Sequence, residues 1–132
     1  MIIDDIIRIK TFCKQSDIIP DKLKLSLREI QTLETINNNE GINLKDFAVI
    51  ENLSVSRASR VINKMTETNL LNKKDDTNDR RNSMIYLTDA GSTLIQSIRL
   101  KKEQCEDTIK KRLNPDEYSM IEEAIKKLAS IL

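Results

Sequence analysis

Glycine and proline, the residues that most often interrupt regular structure, are scarce in this chain: two of each stand among 132 residues. So few forced breaks, together with abundant isoleucine, leucine, lysine and glutamate, favour long helices. A length of 132 residues is typical of one domain, and 39% hydrophobic residues suffice for one core. The sequence therefore predicts a mainly α-helical protein of one domain with a largely aliphatic core.

The absence or isolation of certain residue types disfavours several classes of function. The chain has no histidine, no phosphate-binding glycine loop and no nucleophile set, which disfavours an enzyme and a histidine-ligated zinc sensor. Acidic residues interrupt the N-terminal MIIDDIIRIK, and no apolar run approaches the length of a membrane span. Cys13 and Cys105 form no paired motif, as is usual in a reducing compartment. We expect a soluble, cytoplasmic protein without a metal or cofactor.

Apolar spacing and capping residues predict the first three helices. An N-terminal helix should end before Pro20, and Ser26 and Glu29 form a capping box that opens the second helix. Asn43 is placed to cap a short third helix that ends at about Glu51. In the first helix, the apolar residues that repeat at helical spacing are Ile2, Ile3, Ile6, Ile7, Ile9 and Cys13. The positions expected to face inward are Leu27, Ile30, Leu33 and Ile36 in the second helix, and Leu44, Phe47, Ala48 and Ile50 in the third.

The third and fourth helices together have the pattern of a helix-turn-helix. Ser54 is placed to cap a helix from Val55 to Thr68, and Asn69 can end it because asparagine tolerates the left-handed backbone conformation. Its expected inner residues are Ala58, Val61, Ile62 and Met65, and its outer residues are Ser56, Arg57, Ser59, Arg60, Asn63 and Lys64. Arginine can bind guanine, asparagine can bind adenine, and serine and lysine reach phosphates in the major groove. For this helix taken alone, an ordinary solvated face is an equally good interpretation.

Two short apolar runs on either side of a charged turn predict a β-hairpin. Residues 70–74 and 84–87 flank the segment DDTNDRRNS, which is rich in turn-forming residues. A hairpin directly after a helix-turn-helix is a wing, and its tip would present Arg80 and Arg81 to a minor groove. Residues 54–83 hold seven lysines and arginines against four aspartates and glutamates, so the basic part of the chain coincides with this region.

These segments in combination resemble one family of bacterial regulators. Residues 53–91 are similar to the winged-helix core of the MarR family of transcription regulators, whose wing follows roughly D-x-x-D-R-R-x-x-x-hydrophobic-x-L-T-x-x-G. The pattern stands here as Asp76-Thr77-Asn78-Asp79-Arg80-Arg81, then Ile85, Leu87-Thr88 and Gly91. Ser59-Arg60 occupies the place of the family's Ser/Thr-Arg pair, and Asn69 stands where the family usually has glycine. The resemblance implies a mainly α fold with a small β-hairpin wing, in which dimerisation helices flank a winged helix-turn-helix core.

The same resemblance implies roles for individual residues. Arg81 would be the minor-groove arginine, and Asp79 would be the carboxylate that orients it. The recognition helix would face the major groove or its phosphates. The full set of expected DNA-binding residues is Ser54, Ser56, Arg57, Ser59, Arg60, Asn63, Lys64, Lys74, Asp79, Arg80 and Arg81.

Two further helices complete the chain, and their apolar stripes predict a dimer. Thr88 is placed to cap a helix that ends at about Arg112, and Asn114-Pro115-Asp116-Glu117 starts the last helix. The stripes are Leu94, Ile95, Ile98, Cys105, Ile109 and Leu113, then Tyr118, Ile121, Ile125, Leu128 and Leu132. A winged core at residues 26–91 cannot easily cover them. We expect one domain of residues 1–132 in which residues 1–19 and 89–132 interlock with a second copy.

A two-fold dimer would place two recognition helices in successive major grooves of a pseudo-palindromic double-stranded operator. The resemblance implies a repressor whose two cores change their separation when a small-molecule effector binds. Two other functions remain open: an architectural protein that coats DNA without sequence preference, and a winged-helix module that binds proteins. Cys13 lies in the first helix, where some members of the family sense peroxide, so packing and redox sensing are both open for it.

Overall fold

The structure, a computed structural model, describes residues 1–15, 25–75 and 83–132. These residues form six helices and three short strands, which confirms the mainly α fold class with a small β component. The helices are α1 (Ile2–Gln15), α2 (Leu27–Asn38), α3 (Leu44–Ile50), α4 (Val55–Glu67), α5 (Asp89–Lys110) and α6 (Pro115–Ile131). The strands are β1 (Ile42–Asn43), β2 (Leu71–Asp75) and β3 (Ser83–Leu87). None of the described helices combines the length and hydropathy needed to cross a membrane.

Backbone contacts divide the chain into two compact units. The winged unit, Ile19–Ile98, contains α2 to α4, the three strands and the first part of α5. The terminal unit combines Met1–Ile18 with Arg99–Leu132, and it contains α1, the rest of α5 and α6. Every buried apolar side chain among the described residues lies in the winged unit, so this unit holds the hydrophobic core.

The core of the winged unit takes side chains from its helices and its sheet. Its largest fully buried apolar residues are Leu33, Ile36, Phe47, Ile62, Met65, Leu71, Ile85, Ile95 and Ile98. Burying one such side chain stabilises a fold by roughly 1.5–3 kcal/mol relative to leaving it in water. Thr32 is also buried, and its hydroxyl donates to the Arg28 carbonyl at 2.8 Å, so the core contains no unpaired polar group at this position.

Side-chain caps determine where the helices begin. Ser26, Asn43, Ser54, Thr88 and Asn114 each accept the amide hydrogen of the residue three positions later, at distances of 2.8–3.2 Å. Each bond satisfies an amide that has no partner within its helix. The helix starts predicted from these five residues are therefore confirmed.

Two residues predicted to face the core lie on the surface. Leu27 is 66% exposed and Ile50 is 53% exposed. Leu27 is the first residue of α2 and Ile50 is the last of α3, so both stand at helix ends that the core does not reach. Leu44 and Val61 are half-buried. The other residues of α2, α3 and α4 that were predicted to face inward are buried, which confirms the prediction for Ile30, Leu33, Ile36, Phe47, Ala48, Ala58, Ile62 and Met65.

The predicted hairpin is confirmed, and a third strand joins it that no sequence pattern had indicated. The antiparallel order is β1-β3-β2, with Leu71 opposite Leu87 and Ile42 opposite Ile85. Just before β1, the Gly41 amide donates to the Ile85 carbonyl at 2.9 Å. A two-residue strand carries no alternation of its own, and only its distant partner defines it.

In the terminal unit, a cluster of three side chains connects α5 to α6. The Tyr118 hydroxyl donates to the Glu106 carboxylate, and the Lys110 ammonium lies 3.6 Å from Glu106 Oε1 and 5.0 Å from the centre of the Tyr118 ring. The hydroxyl and then the ammonium lower the pKa of Glu106. The same hydrogen bond to Glu106 raises the pKa of Tyr118 to about 12.

We expect Tyr118→Phe to raise the pKa of Glu106, because the carboxylate loses its principal hydrogen-bond donor. A lowered carboxyl pKa stabilises the fold above its ordinary pKa, and this contribution is lost as the pH falls through the pKa of Glu106. The raised tyrosine pKa stabilises the fold below the ordinary tyrosine pKa, and this contribution is lost as the pH rises through about 12. NMR titration of the Glu106 carboxyl carbon in both proteins is the measurement. Coincident titration curves would contradict the assigned bond.

Apolar side chains of the terminal unit remain exposed in the single chain. Five large apolar side chains of α1 are 42–62% exposed and four of α6 are 42–72% exposed; they are Ile2, Ile3, Ile7, Ile9 and Phe12, then Met120, Ile121, Ile125 and Ile131. Ile6 and Leu128 are half-buried. Cys13 is exposed and Cys105 is half-buried. The apolar stripe of α1 is thus present as predicted, but the described part of the chain does not cover it.

Candidate nucleic-acid interface

Helix α4 has one buried face and one face in solvent. Ala58, Ile62 and Met65 are fully buried, and this spacing directs the residues between them outward. Ser54 caps the first turn, and Asn69 follows the helix with a φ of 62°, the left-handed conformation predicted for it. Helix α4 therefore stands as the second helix of the predicted helix-turn-helix.

The outer face of α4 is polar and basic. Ser56, Arg57, Arg60, Asn63 and Lys64 are exposed, and Ser59 is half-buried. Ser56, Arg60 and Asn63 follow one another at helical spacing along this face. In the described part of the chain, neither Arg57 nor Arg60 forms an ion pair. Two guanidinium groups are thus available to an anionic partner.

Ser54 already uses its hydroxyl within the chain. Its oxygen accepts the Arg57 amide at 3.2 Å and lies 3.3 Å from the Ser56 hydroxyl oxygen. The observed role of Ser54 is therefore to start the helix, and this places Ser56 and Arg57 in the first turn.

Lys64 is bound to α2. Its ammonium contacts Glu29 Oε1 at 2.7 Å, and the Glu29 side chain is 9% exposed. The expected capping box forms only in part, because the Glu29 amide donates to Ser26 while the Glu29 carboxylate binds Lys64 instead of the Ser26 amide. This pair positions α4 against α2, a role that the local sequence pattern had not revealed.

A second polar cluster attaches α2 to the end of α3. Glu51, which caps α3 at its C-terminus, accepts a hydrogen bond from Arg28 at 2.8 Å and another from the Thr35 hydroxyl. Hydrogen bonds to an ionised carboxylate are stronger than neutral ones. These bonds hold the end of α3, immediately before the turn into α4, against α2.

We expect Lys64→Met to destabilise the winged unit by about 1–2 kcal/mol, because Glu29 would keep a poorly solvated charge without a cation. The expected loss of stability is small because the Lys64 side chain is 64% exposed, so that water screens the ion pair. Glu29→Gln should cost less, since its neutral amide needs no counterion. Urea unfolding of both variants checks the order, and a greater loss for Glu29→Gln would contradict it.

Strand β2 adds two more lysines to the basic surface. The Lys74 ammonium lies 5.0 Å from the centre of the Tyr86 ring on β3. The Lys73 ammonium donates to the side-chain oxygen of Asn63 on α4. Lys73 was absent from the predicted DNA-binding set, because nothing near it in the sequence points to a contact ten residues away. The expected wing residues Asp79, Arg80 and Arg81 lie outside the described residues.

A capped short helix, a turn, a second helix with a buried inner face and an antiparallel hairpin define a winged helix-turn-helix. Residues 25–83 match the sequence model of the MarR family. Over these residues the chain is similar to the MarR family, which confirms the resemblance predicted from the wing motif.

Solved structures show the same fold at low sequence identity. RV1404 from Mycobacterium tuberculosis is 17% identical with a TM-score of 0.77, and the match covers 98% of this chain and 90% of that one. FabT from Streptococcus pneumoniae, in complex with DNA, is 13% identical with a TM-score of 0.72, over 82% and 76% of the two chains. The PcaV transcriptional regulator from Streptomyces coelicolor, in complex with its natural ligand, is 20% identical with a TM-score of 0.62, over 81% and 76%. No curated protein matches the sequence.

Proposed function

We propose that this protein is a sequence-specific, double-stranded DNA-binding transcription regulator that acts in the cytoplasm as a homodimer. The observation that carries the proposal is the outer face of α4, where Arg57 and Arg60 are exposed on a helix whose opposite face is fully buried. The core fixes the helix, so its outward side chains can enter a groove as one rigid surface.

The side chains on this face have the chemistry that a major groove requires. Arginine can donate two hydrogen bonds to guanine O6 and N7, and serine and lysine can bind phosphate oxygens. The wing would add Arg80 and Arg81 at the neighbouring minor groove, with Asp79 orienting Arg81, as the MarR resemblance implies. Contacts to the DNA backbone would then set the register of the protein on the duplex, and side chains of α4 would contact the base edges.

The exposed apolar side chains of α1 and α6 support the homodimer. A water-soluble monomer rarely exposes so many large apolar residues on two helices, and a second copy would bury them. Such a dimer presents two copies of α4, which matches a pseudo-palindrome with half-sites about one helical turn apart.

We expect light scattering at micromolar concentration to give twice the mass of one chain. Ile121→Glu, which places a charge on the exposed apolar face of α6, should shift the mass towards a single chain because the charge would be buried on association. Ser119→Glu adds the same charge at an exposed polar position of α6 and serves as the control. A single-chain mass for the unmodified protein would contradict the dimer.

Repression is the outcome we propose for the cell, because a dimer bound across a promoter excludes the polymerase. We further propose that a small-molecule effector changes the separation of the two winged units and so shifts the population away from the DNA-binding spacing. PcaV, a transcriptional regulator of this fold, is known in complex with its natural ligand, which supports the binding of an effector by such a fold.

Selection from random duplex DNA at near-physiological salt tests the proposed function. We expect the unmodified protein to recover one pseudo-palindrome whose half-sites lie about ten base pairs apart. Recovery of random sequences, with binding that is lost as salt rises, would replace the proposal with architectural coating. Absence of binding would replace it with a protein-interaction module.

A further inference from the structure

Asn63 and Lys73 connect α4 to β2 on the exposed basic face. The Lys73 ammonium donates to Asn63 Oδ1, while Asn63 Nδ2 lies 3.5 Å from the Ser59 hydroxyl oxygen. An ammonium group has three donors and no acceptor, so the atom facing it has to be the amide oxygen. The contact thus fixes which end of the Asn63 amide faces the strand.

This orientation changes the base that Asn63 can read. A free asparagine binds adenine with two hydrogen bonds, in which its oxygen accepts from N6 and its nitrogen donates to N7. Here the Lys73 ammonium occupies one of the two lone pairs of the oxygen, and its positive charge opposes the approach of the adenine N6 amino group to the other. The pair then presents its donors, the Asn63 amide nitrogen and the Lys73 ammonium. Guanine presents two acceptors, O6 and N7, at the same edge and no donor.

We propose that Lys73 determines specificity at one base pair of each half-site, where it holds Asn63 as a hydrogen-bond donor to guanine instead of an adenine reader. This inference rests on the proposed function, since it requires α4 to lie in a major groove. It assigns Lys73 a role distinct from that of Lys74, which extends over Tyr86 on the neighbouring strand.

The test is selection from random duplex DNA with the unmodified protein and three variants. Asn63→Ala identifies the base pair in question, because preference at that position should disappear. Lys73→Met removes the ammonium and keeps most of the side chain, so it frees the Asn63 oxygen. Lys74→Met removes the same charge from the next residue of the same strand and is the matched control. Both lysines are exposed, and thermal unfolding verifies that each variant folds.

We expect the unmodified protein to select guanine at the position that depends on Asn63. Lys73→Met should raise the recovery of adenine over guanine there by about tenfold, which corresponds to one bidentate contact. Lys74→Met should retain guanine and weaken all sequences alike.

Four results would overturn the inference while the proposed function stands. Two concern the unmodified protein and Asn63→Ala: adenine selected by the unmodified protein, or no base pair that depends on Asn63. Two concern Lys73→Met: guanine retained at that position, or all selectivity lost there. If the unmodified protein selects no sequence at all, the proposed function fails and the inference fails with it.

Discussion

Gly91→Ala is expected to destabilise the winged unit by about 2–3 kcal/mol and to lower its melting temperature by roughly 6–15 °C. Gly91 lies in the first turn of α5, and a Cβ atom built there would stand 2.2 Å from the Leu70 carbonyl oxygen. That oxygen belongs to the backbone and also accepts the Thr88 amide at 3.1 Å, so it cannot move away without a further loss. The helix and the segment that leads into β2 would have to separate.

The sign of the change in stability caused by Gly91→Ala distinguishes between two physical effects. Helix propensity alone predicts that alanine stabilises a helical position by about 1 kcal/mol relative to glycine. The close approach of Leu70 predicts the opposite. Thr93→Ala, at an exposed position of the same helix, should stay within about 0.5 kcal/mol of the unmodified protein. Thermal unfolding by circular dichroism measures both, and a higher melting temperature for Gly91→Ala would show that Leu70 does not constrain the site.

Arg60→Ala is expected to weaken binding to the selected operator by roughly 30-fold or more, because a dimer would lose a guanine or phosphate contact in both half-sites. Arg60 is exposed on the outer face of α4, so its removal should leave stability within about 0.5 kcal/mol. Fluorescence anisotropy with a labelled operator at fixed salt gives the affinity.

The control for Arg60→Ala is Arg112→Ala, which removes the same side chain from an exposed position in the terminal unit. It should change operator affinity less than threefold, an amount that we expect from net charge alone. Equal losses in the two variants would mean that the protein senses only overall charge, and the role of the α4 face would then have to be abandoned.

The elements that local chemistry specifies could be predicted from the sequence. Ser26, Asn43, Ser54 and Asn114 start helices because each cap needs only the amide three residues later. The buried face of α4 follows in the same way from helical spacing. The sequence did not predict β1, since a two-residue strand exists only through its pairing with β3.

The candidate site shows the same division between local and distant contacts. The exposed side chains of α4 were predicted from periodicity, and the MarR motif indicated what they could bind. The partners of Lys64 and Asn63 were not predicted, because Glu29 and Lys73 come from other elements of the fold. Those contacts decide which polar side chains hold α4 in place and which remain available to DNA.

The most direct test of sequence-specific recognition compares two duplexes of identical length and base composition at near-physiological salt, one with the selected operator and one with its bases scrambled. We expect the unmodified protein to bind the operator about a thousandfold or more tightly. Equal affinity for the two duplexes would contradict sequence-specific recognition by α4.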